Sequence, residues 1–222
     1  MTLKGLIFDF DGLILDTEIP GFQAWKEIFA GYNLPFTYAH WSKAIGTGPT
    51  AYDPALDLCS QVNDSLDPAE LRKKQLTRAH EILENVPIQP GVLNFIKQAQ
   101  RFQMRMAVAS SSPCDWVMTH LQRLDLVKYF QYILTAEDVA HVKPEPDLFH
   151  LALQKLDLKP SEAIVFEDSP NGITAARAAG IFVIAVPNEI TKTMNTSHAD
   201  LEVNSFFDLD VSKLVKKFDT NY

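Results

Sequence analysis

Two aspartates one residue apart, Asp9 and Asp11, close the apolar run "LKGLIF" in the stretch "FDFDGLILDT", and a third, Asp16, follows five residues later. An apolar run of this length reads as a buried strand, where an ionised carboxylate is costly unless something pairs with it. Like charges about 4 Å apart cost roughly 4 kcal/mol at an effective dielectric near 20, so clustered carboxylates call for a cation. Oxygen-only ligands favour Mg²⁺, which keeps several waters and takes one or two carboxylates together with substrate phosphate. Other short apolar runs also end in residues that can do chemistry. "MRMAVASS" runs into serines from Ser110, "YILTA" is followed by Lys143 in "HVKPEPD", and "AIVFED" ends at Glu167 and Asp168. A lysine supplies positive charge to a phosphoryl group or a nucleophilic carboxylate, serine hydroxyls and backbone N–H groups hold phosphate oxygens, and aspartate can accept a phosphoryl group covalently.

Each of these residues has a bland reading when taken singly. Asp9 could be a strand-end turn residue, Glu167-Asp168 before Ser-Pro a turn and helix cap, and Lys143 a surface lysine. Read as strand ends of one parallel sheet they converge, because ligands of open α/β sheets bind outside the carboxyl ends of the strands.

The elements that position them follow from the pattern. The apolar runs above, with "FVIAVP" after them, alternate with amphipathic segments such as "GVLNFIKQAQRF", "CDWVMTHLQRLD", "DLFHLALQKLD" and "NGITAARAAG". That alternation predicts βαβ units and a parallel sheet. Between about Thr17 and Glu84 the strand signals stop. "GFQAWKEIFAGY" carries a helical stripe of Phe22, Trp25, Ile28 and Phe29. Asp67-Pro68 with Glu70 has the N-cap, N1 proline and capping-box acid that open a helix. The expected architecture is therefore an α/β fold, a Rossmann-like parallel sheet core over residues 1–16 and 86–222, with an inserted all-helical cap domain over 17–85. Asp16 is expected to cap the first helix of that insert rather than to do chemistry.

Composition narrows the classes of function. The chain has 222 residues, 46% hydrophobic and 22% charged, with a formal net charge of -8. There is no basic excess to neutralise phosphate backbones, which argues against a nucleic-acid partner. Cys59 and Cys114 lie in no metal-like spacing and read as reduced thiols. No stretch approaches the length of a membrane span, and the acid-broken N-terminus cannot serve as a signal core. A cytoplasmic location is expected.

Four of these motifs, "DFDGLILDT", the strand-ending Ser110, Lys143-Pro144 and "EDSPNGITAARAAG", together resemble the haloacid dehalogenase superfamily. More narrowly they are similar to its β-phosphoglucomutase-like branch, whose helical cap is inserted after the first strand. The resemblance implies Asp9 as the nucleophile that becomes an aspartyl phosphate. It implies Asp11 as general acid and base, and as a Mg²⁺ ligand through its backbone carbonyl. Asp9, Asp11, Glu167 and Asp168 would form the metal site, Ser110 would hold the phosphoryl group and Lys143 would steady the nucleophile. Gly12 and Ser111 fall beside the phosphate, and Gly12 lets the backbone turn tightly. In the cap, Gly46 and Thr47 form the expected specificity loop. The dehalogenases themselves lack the second aspartate, so Asp11 argues against dehalogenation.

Within that branch, mutases carry a histidine four residues after the DT threonine, where this chain has Gly21, and a cap-loop arginine absent from "GTGPTAYD". The expected function is a Mg²⁺-dependent phosphatase of a small phosphorylated metabolite, acting as a monomer. The alternatives are a β-phosphoglucomutase-type mutase and, in another class, a non-catalytic phosphometabolite-binding module.

Overall fold

Residues Gly5–Phe8 form β1, and all four are buried, as befits a strand covered on both faces. The computed structural model describes residues 2–44, 52–62 and 66–220. In it the chain divides into two units, Met1–Leu15 with Pro87–Tyr222, and Asp16–Val86.

The first unit contains β1, α5 (Val92–Arg101), β2 (Arg105–Ala109), α6 (Cys114–Arg123), β3 (Tyr132–Leu134), α7 (Asp147–Leu156), β4 (Ala163–Glu167), α8 (Pro170–Ala178), β5 (Phe182–Ala185), β6 (Leu201–Glu202) and α9 (Val211–Thr220). Its six strands lie in the order β3-β2-β1-β4-β5-β6, and every pairing is parallel. β1 is central, with Phe8 opposite Val108 on one side and Phe166 on the other. This register brings the ends of β1, β2 and β4 to one rim. Ile7, Ala107 and Val165 pack with Leu148, Phe149 and Ile173 in one apolar cluster. Phe8 instead stacks on Phe166 with ring centroids 5.0 Å apart, and Phe95 meets Phe166 edge-on at 5.1 Å. Two elements escaped the sequence pattern. β6 is two residues long and half of it is glutamate, and α9 (Val211–Thr220) closes the chain after it.

The chain leaves this unit and returns to it at neighbouring points. Leu15 bridges Ile88 in antiparallel fashion, and the N–H of Gln89 donates to the carbonyl of Ile14 at 2.9 Å.

Among its described residues the second unit is helical: α1 (Glu18–Ala30), α2 (Tyr38–Ala44), α3 (Pro54–Gln61) and α4 (Pro68–Leu83). Asp16 Oδ1 accepts from the N–H groups of Glu18 and Ile19 and so opens α1. Asp53 and Asp67 cap α3 and α4, each followed by a proline at the first helical position. Phe22, Trp25, Phe29, Phe36, Leu58 and Leu71 form its core. The Trp41 ring lies across Gly21 so closely that a Cβ there would meet it at 2.9 Å. No helix among the described residues is long and apolar enough to cross a membrane.

Candidate active site

β1 ends one residue short of Asp9, whose N–H still donates to the Phe166 carbonyl at 3.0 Å and keeps the loop in register with β4. From there the side chains expected at the strand ends gather. Lys143 donates to Asp9 Oδ1 and, at 2.6 Å, to Glu167 Oε1. All three are almost entirely buried, with side-chain exposures of 6% for Lys143, 9% for Asp9 and 0% for Glu167. A buried pair stripped of either partner would leave an uncompensated charge, so the lysine and the two acids are needed together.

Glu167 is the most thoroughly held of them. Its Oε2 accepts from the N–H of Asp168 at 3.1 Å, the N–H of Ser169 at 3.2 Å and the Ser169 hydroxyl at 3.1 Å. Ser169 in turn caps α8, its hydroxyl oxygen accepting from the Gly172 N–H. Glycine at 172 is a steric requirement, since a Cβ there would lie 1.8 Å from Glu167 Oε1.

Electrostatics separate the two partners of the lysine. Burial, followed by the neighbouring Glu167 carboxylate, pushes the Asp9 carboxyl up to about 8 against the opposing pull of Lys143. Burial works against the lysine's charge, but the Asp9 and Glu167 carboxylates outweigh it and hold the ammonium above the ordinary lysine range.

Asp11 is half-buried and fully engaged. Its Oδ2 accepts from the hydroxyls of Ser110 at 3.1 Å and Ser112 at 2.7 Å, and its Oδ1 from the Trp116 indole N–H at 2.8 Å. Ser110 is held at the end of β2 by its own N–H, which reaches the Leu134 carbonyl of β3 at 2.9 Å. Gly12 takes a positive φ of 80°, and a Cβ there would meet Asp168 Oδ2 at 2.2 Å. The turn and the close approach both demand glycine.

Asp9, Glu167 and Asp168 each offer an oxygen, and these atoms lie within 4.8 Å of one another. A buried, oxygen-only donor set fits a hard divalent cation. Asp11, expected beside them, directs its carboxylate to the two serines and the tryptophan.

Of the sequence-derived candidates, Asp9, Asp11, Gly12, Ser110, Lys143, Glu167 and Asp168 come together in the first unit. Ser111 is exposed, and its neighbour Ser112 is the one that reaches Asp11. Gly46 and Thr47 lie outside the described residues. Sequence reasoning passed over Ser112, Trp116 and Asn188. A tryptophan in the first turn of the helix after "SSS" was an available signal for the second of these.

The fold and the cluster define an α/β enzyme with an acidic centre at the carboxyl ends of a parallel sheet. Residues 6–186 match the family model for haloacid dehalogenase-like hydrolases. The chain belongs to that family. The "Putative phosphatase YhcW" of Bacillus subtilis (strain 168) is 36% identical over 213 residues, 96% of each chain. The fructose-1-phosphate phosphatase YqaB of Escherichia coli (strain K12) is 33% identical over 182 residues, 82% of this chain and 95% of that one. The crystal structure of a "putative beta-phosphoglucomutase" from Thermotoga maritima superposes with a TM-score of 0.79 at 26% identity, covering 96% of this chain and 100% of the other.

Proposed function

We propose that this hydrolase is a Mg²⁺-dependent phosphatase of a small phosphorylated metabolite, working through an aspartyl phosphate on Asp9. The observation that carries the reading is the Lys143 ammonium bridging Asp9 and Glu167, with Asp11 one residue from the nucleophile and held by hydroxyl and indole donors.

Asp9, Glu167 and Asp168, with the Asp11 backbone carbonyl, would hold Mg²⁺, which supplies charge neutralisation for the phosphoryl group and lowers the Asp9 carboxyl from its raised value. Lys143 keeps Asp9 Oδ1 oriented, so the carboxylate presents its remaining oxygen to phosphorus. That oxygen forms the new P–O bond while the ester P–O bond breaks, and Asp11 gives its proton to the departing alcohol. Asp11 then takes a proton from the attacking water, the acyl phosphate bond breaks, and inorganic phosphate leaves with the Asp9 carboxylate restored. The Ser110 hydroxyl, which donates to Asp11 Oδ2 in this structure, would turn its proton to the phosphoryl oxygens.

The mutase reading is disfavoured by packing within the helical unit. Trp41 occupies the space that a side chain at Gly21 would need, so no histidine could stand there without displacing the ring. The relatives named as phosphatases point the same way.

The test is a panel of phosphorylated metabolites incubated with Mg²⁺, including β-glucose 1-phosphate with a trace of glucose 1,6-bisphosphate. Free phosphate and glucose 6-phosphate are read in parallel. Phosphate release that EDTA abolishes, and that Asp9→Asn eliminates, is the expected result. Glucose 6-phosphate without free phosphate would mean a mutase, and turnover by Asp9→Asn would remove the covalent step.

A further inference from the structure

Val186 and Pro187 carry the chain from the end of β5 into a buried asparagine, Asn188, whose polar atoms are unusually well occupied. Its amide nitrogen donates to Asp168 Oδ2 at 2.7 Å and to the Gly12 carbonyl at 3.3 Å. Its amide oxygen accepts from the N–H groups of Ile190 at 2.9 Å and Thr191 at 3.0 Å. Its own N–H donates to the Thr191 hydroxyl at 2.9 Å. The orientation of the amide is set by this network. Only the nitrogen can serve two acceptors, and only the oxygen can serve two donors.

The side chain therefore ties three segments together: the end of β4 through Asp168, the loop after β1 through Gly12, and the turn after β5. An amide buried to this depth is costly unless its hydrogen bonds are made, and here each is made to a group at the carboxylate cluster or to the turn that holds the amide in place. An Asn188 confined to a structural turn would need only the bonds to Ile190 and Thr191. The two bonds from its nitrogen point elsewhere, to a carboxylate of the acidic centre and to the loop that carries Asp9 and Asp11.

We infer that Asn188 is a positioning residue for the divalent cation. It fixes the rotation of the Asp168 carboxylate and the distance of the Asp9–Gly12 loop from it, so that the oxygen ligands stand ready before the ion arrives. This rests on the Mg²⁺-dependent reading above. Partners that orient metal ligands are typically worth about 10- to 100-fold in metal affinity. Asn188 makes none of the hydrogen bonds that engage Ser110, Lys143 or Asp11, so its loss leaves the phosphoryl-binding donors alone.

The experiment compares full-length wild type with Asn188→Leu, which nearly conserves the side-chain shape and removes both donated bonds together with the two accepted from Ile190 and Thr191. Thr191→Val serves as the control, since it loosens the same turn and leaves the amide in place. Mg²⁺ is titrated into metal-free protein with melting temperature and calorimetric heat as readouts. KM and kcat for p-nitrophenyl phosphate are then measured at saturating Mg²⁺.

The expected result is a Mg²⁺ midpoint raised about tenfold or more in Asn188→Leu, with KM within twofold of wild type and Thr191→Val unshifted. An unchanged midpoint in the leucine variant overturns the inference, as does an equal shift in Thr191→Val, which would make the role that of the turn alone. If Asn188→Leu does not fold, Asn188→Ser carries the same test. A wild type whose melting temperature and turnover ignore Mg²⁺ would instead sink the metal-dependent reading itself.

Discussion

Replacing Asp9 by asparagine in the metal-free protein should change stability by an amount that grows with pH. The Asp9 carboxyl is pushed up to about 8 by burial and by Glu167, whereas an unfolded chain releases that proton near pH 3.9. Between those values the native state holds a proton that the unfolded state has lost. Stability is then fully present below about pH 4 and declines as pH rises, reaching its floor above about 8. The slope is at most about 1.4 kcal/mol per pH unit. Asparagine does not titrate, so any fixed cost of the substitution cancels when two pH values are compared. Urea unfolding in EDTA at pH 5.5 and at pH 8 should show the variant gaining on wild type by about 3 kcal/mol over the interval. Saturating Mg²⁺ should erase that gain by favouring the carboxylate in wild type. A difference that stays constant, or shrinks as pH rises, would refute the reasoning. It would mean that the pull of Lys143 exceeds the cost of burying an ionised Asp9 beside Glu167.

Three other perturbations test the rest of the cluster. Asp11→Asn should slow steady-state turnover by about 10²- to 10⁴-fold, and a variant within threefold of wild type would remove Asp11 from proton transfer. Lys143→Met leaves two buried carboxylates facing each other and should lower stability by about 3 kcal/mol or more at pH 8. The loss should be smaller at pH 5.5, where Asp9 can hold a proton, as denaturant melts at both values would reveal. Gly172→Ala forces a methyl group to within 1.8 Å of Glu167 Oε1; calorimetry should report a loss of about 1–3 kcal/mol, and no loss would mean the helix start yields freely.

Much of this arrangement could be read before any coordinates, for reasons that differ residue by residue. Asp9 and Asp11 stand out because acids closing an apolar run contradict their surroundings, and Glu167-Asp168 does the same after "AIVF". Lys143 was legible only by its place after the third run. Its double pairing with Asp9 and Glu167 depends on β4 lying beside β1, which no local pattern encodes. Ser111 and Ser112 differ by one step of backbone, and the turn that aims the second at Asp11 has no signature in a run of three serines. Asn188 was invisible for the same kind of reason. Its partners lie 20 and 176 residues away along the chain, and a "VPN" sequence alone reads as a turn. β6 was missed because two residues, one of them charged, carry no periodicity. Asp16 was legible as the opening of the inserted helical unit, since an acid just ahead of a helical segment suits a cap better than chemistry, and its Oδ1 does accept from the N–H groups of Glu18 and Ile19.

The antiparallel bridge between Leu15 and Ile88 bears on how such a chain can change over generations. The hydrogen bond from Gln89 to Ile14 draws the same two points together, so the roughly 70 residues between them form a loop whose ends the sheet-bearing unit already clasps. Closing a loop becomes costlier only logarithmically with its length, and doubling the insert would add about 0.6 kcal/mol. Segments of very different size and composition could be spliced in at this clasp while the carboxylates and lysine, all contributed by residues outside the insert, keep their places. A chemistry encoded on one side of a splice point and a freely exchangeable segment on the other is an arrangement that lets a lineage diversify its repertoire without re-inventing its reaction.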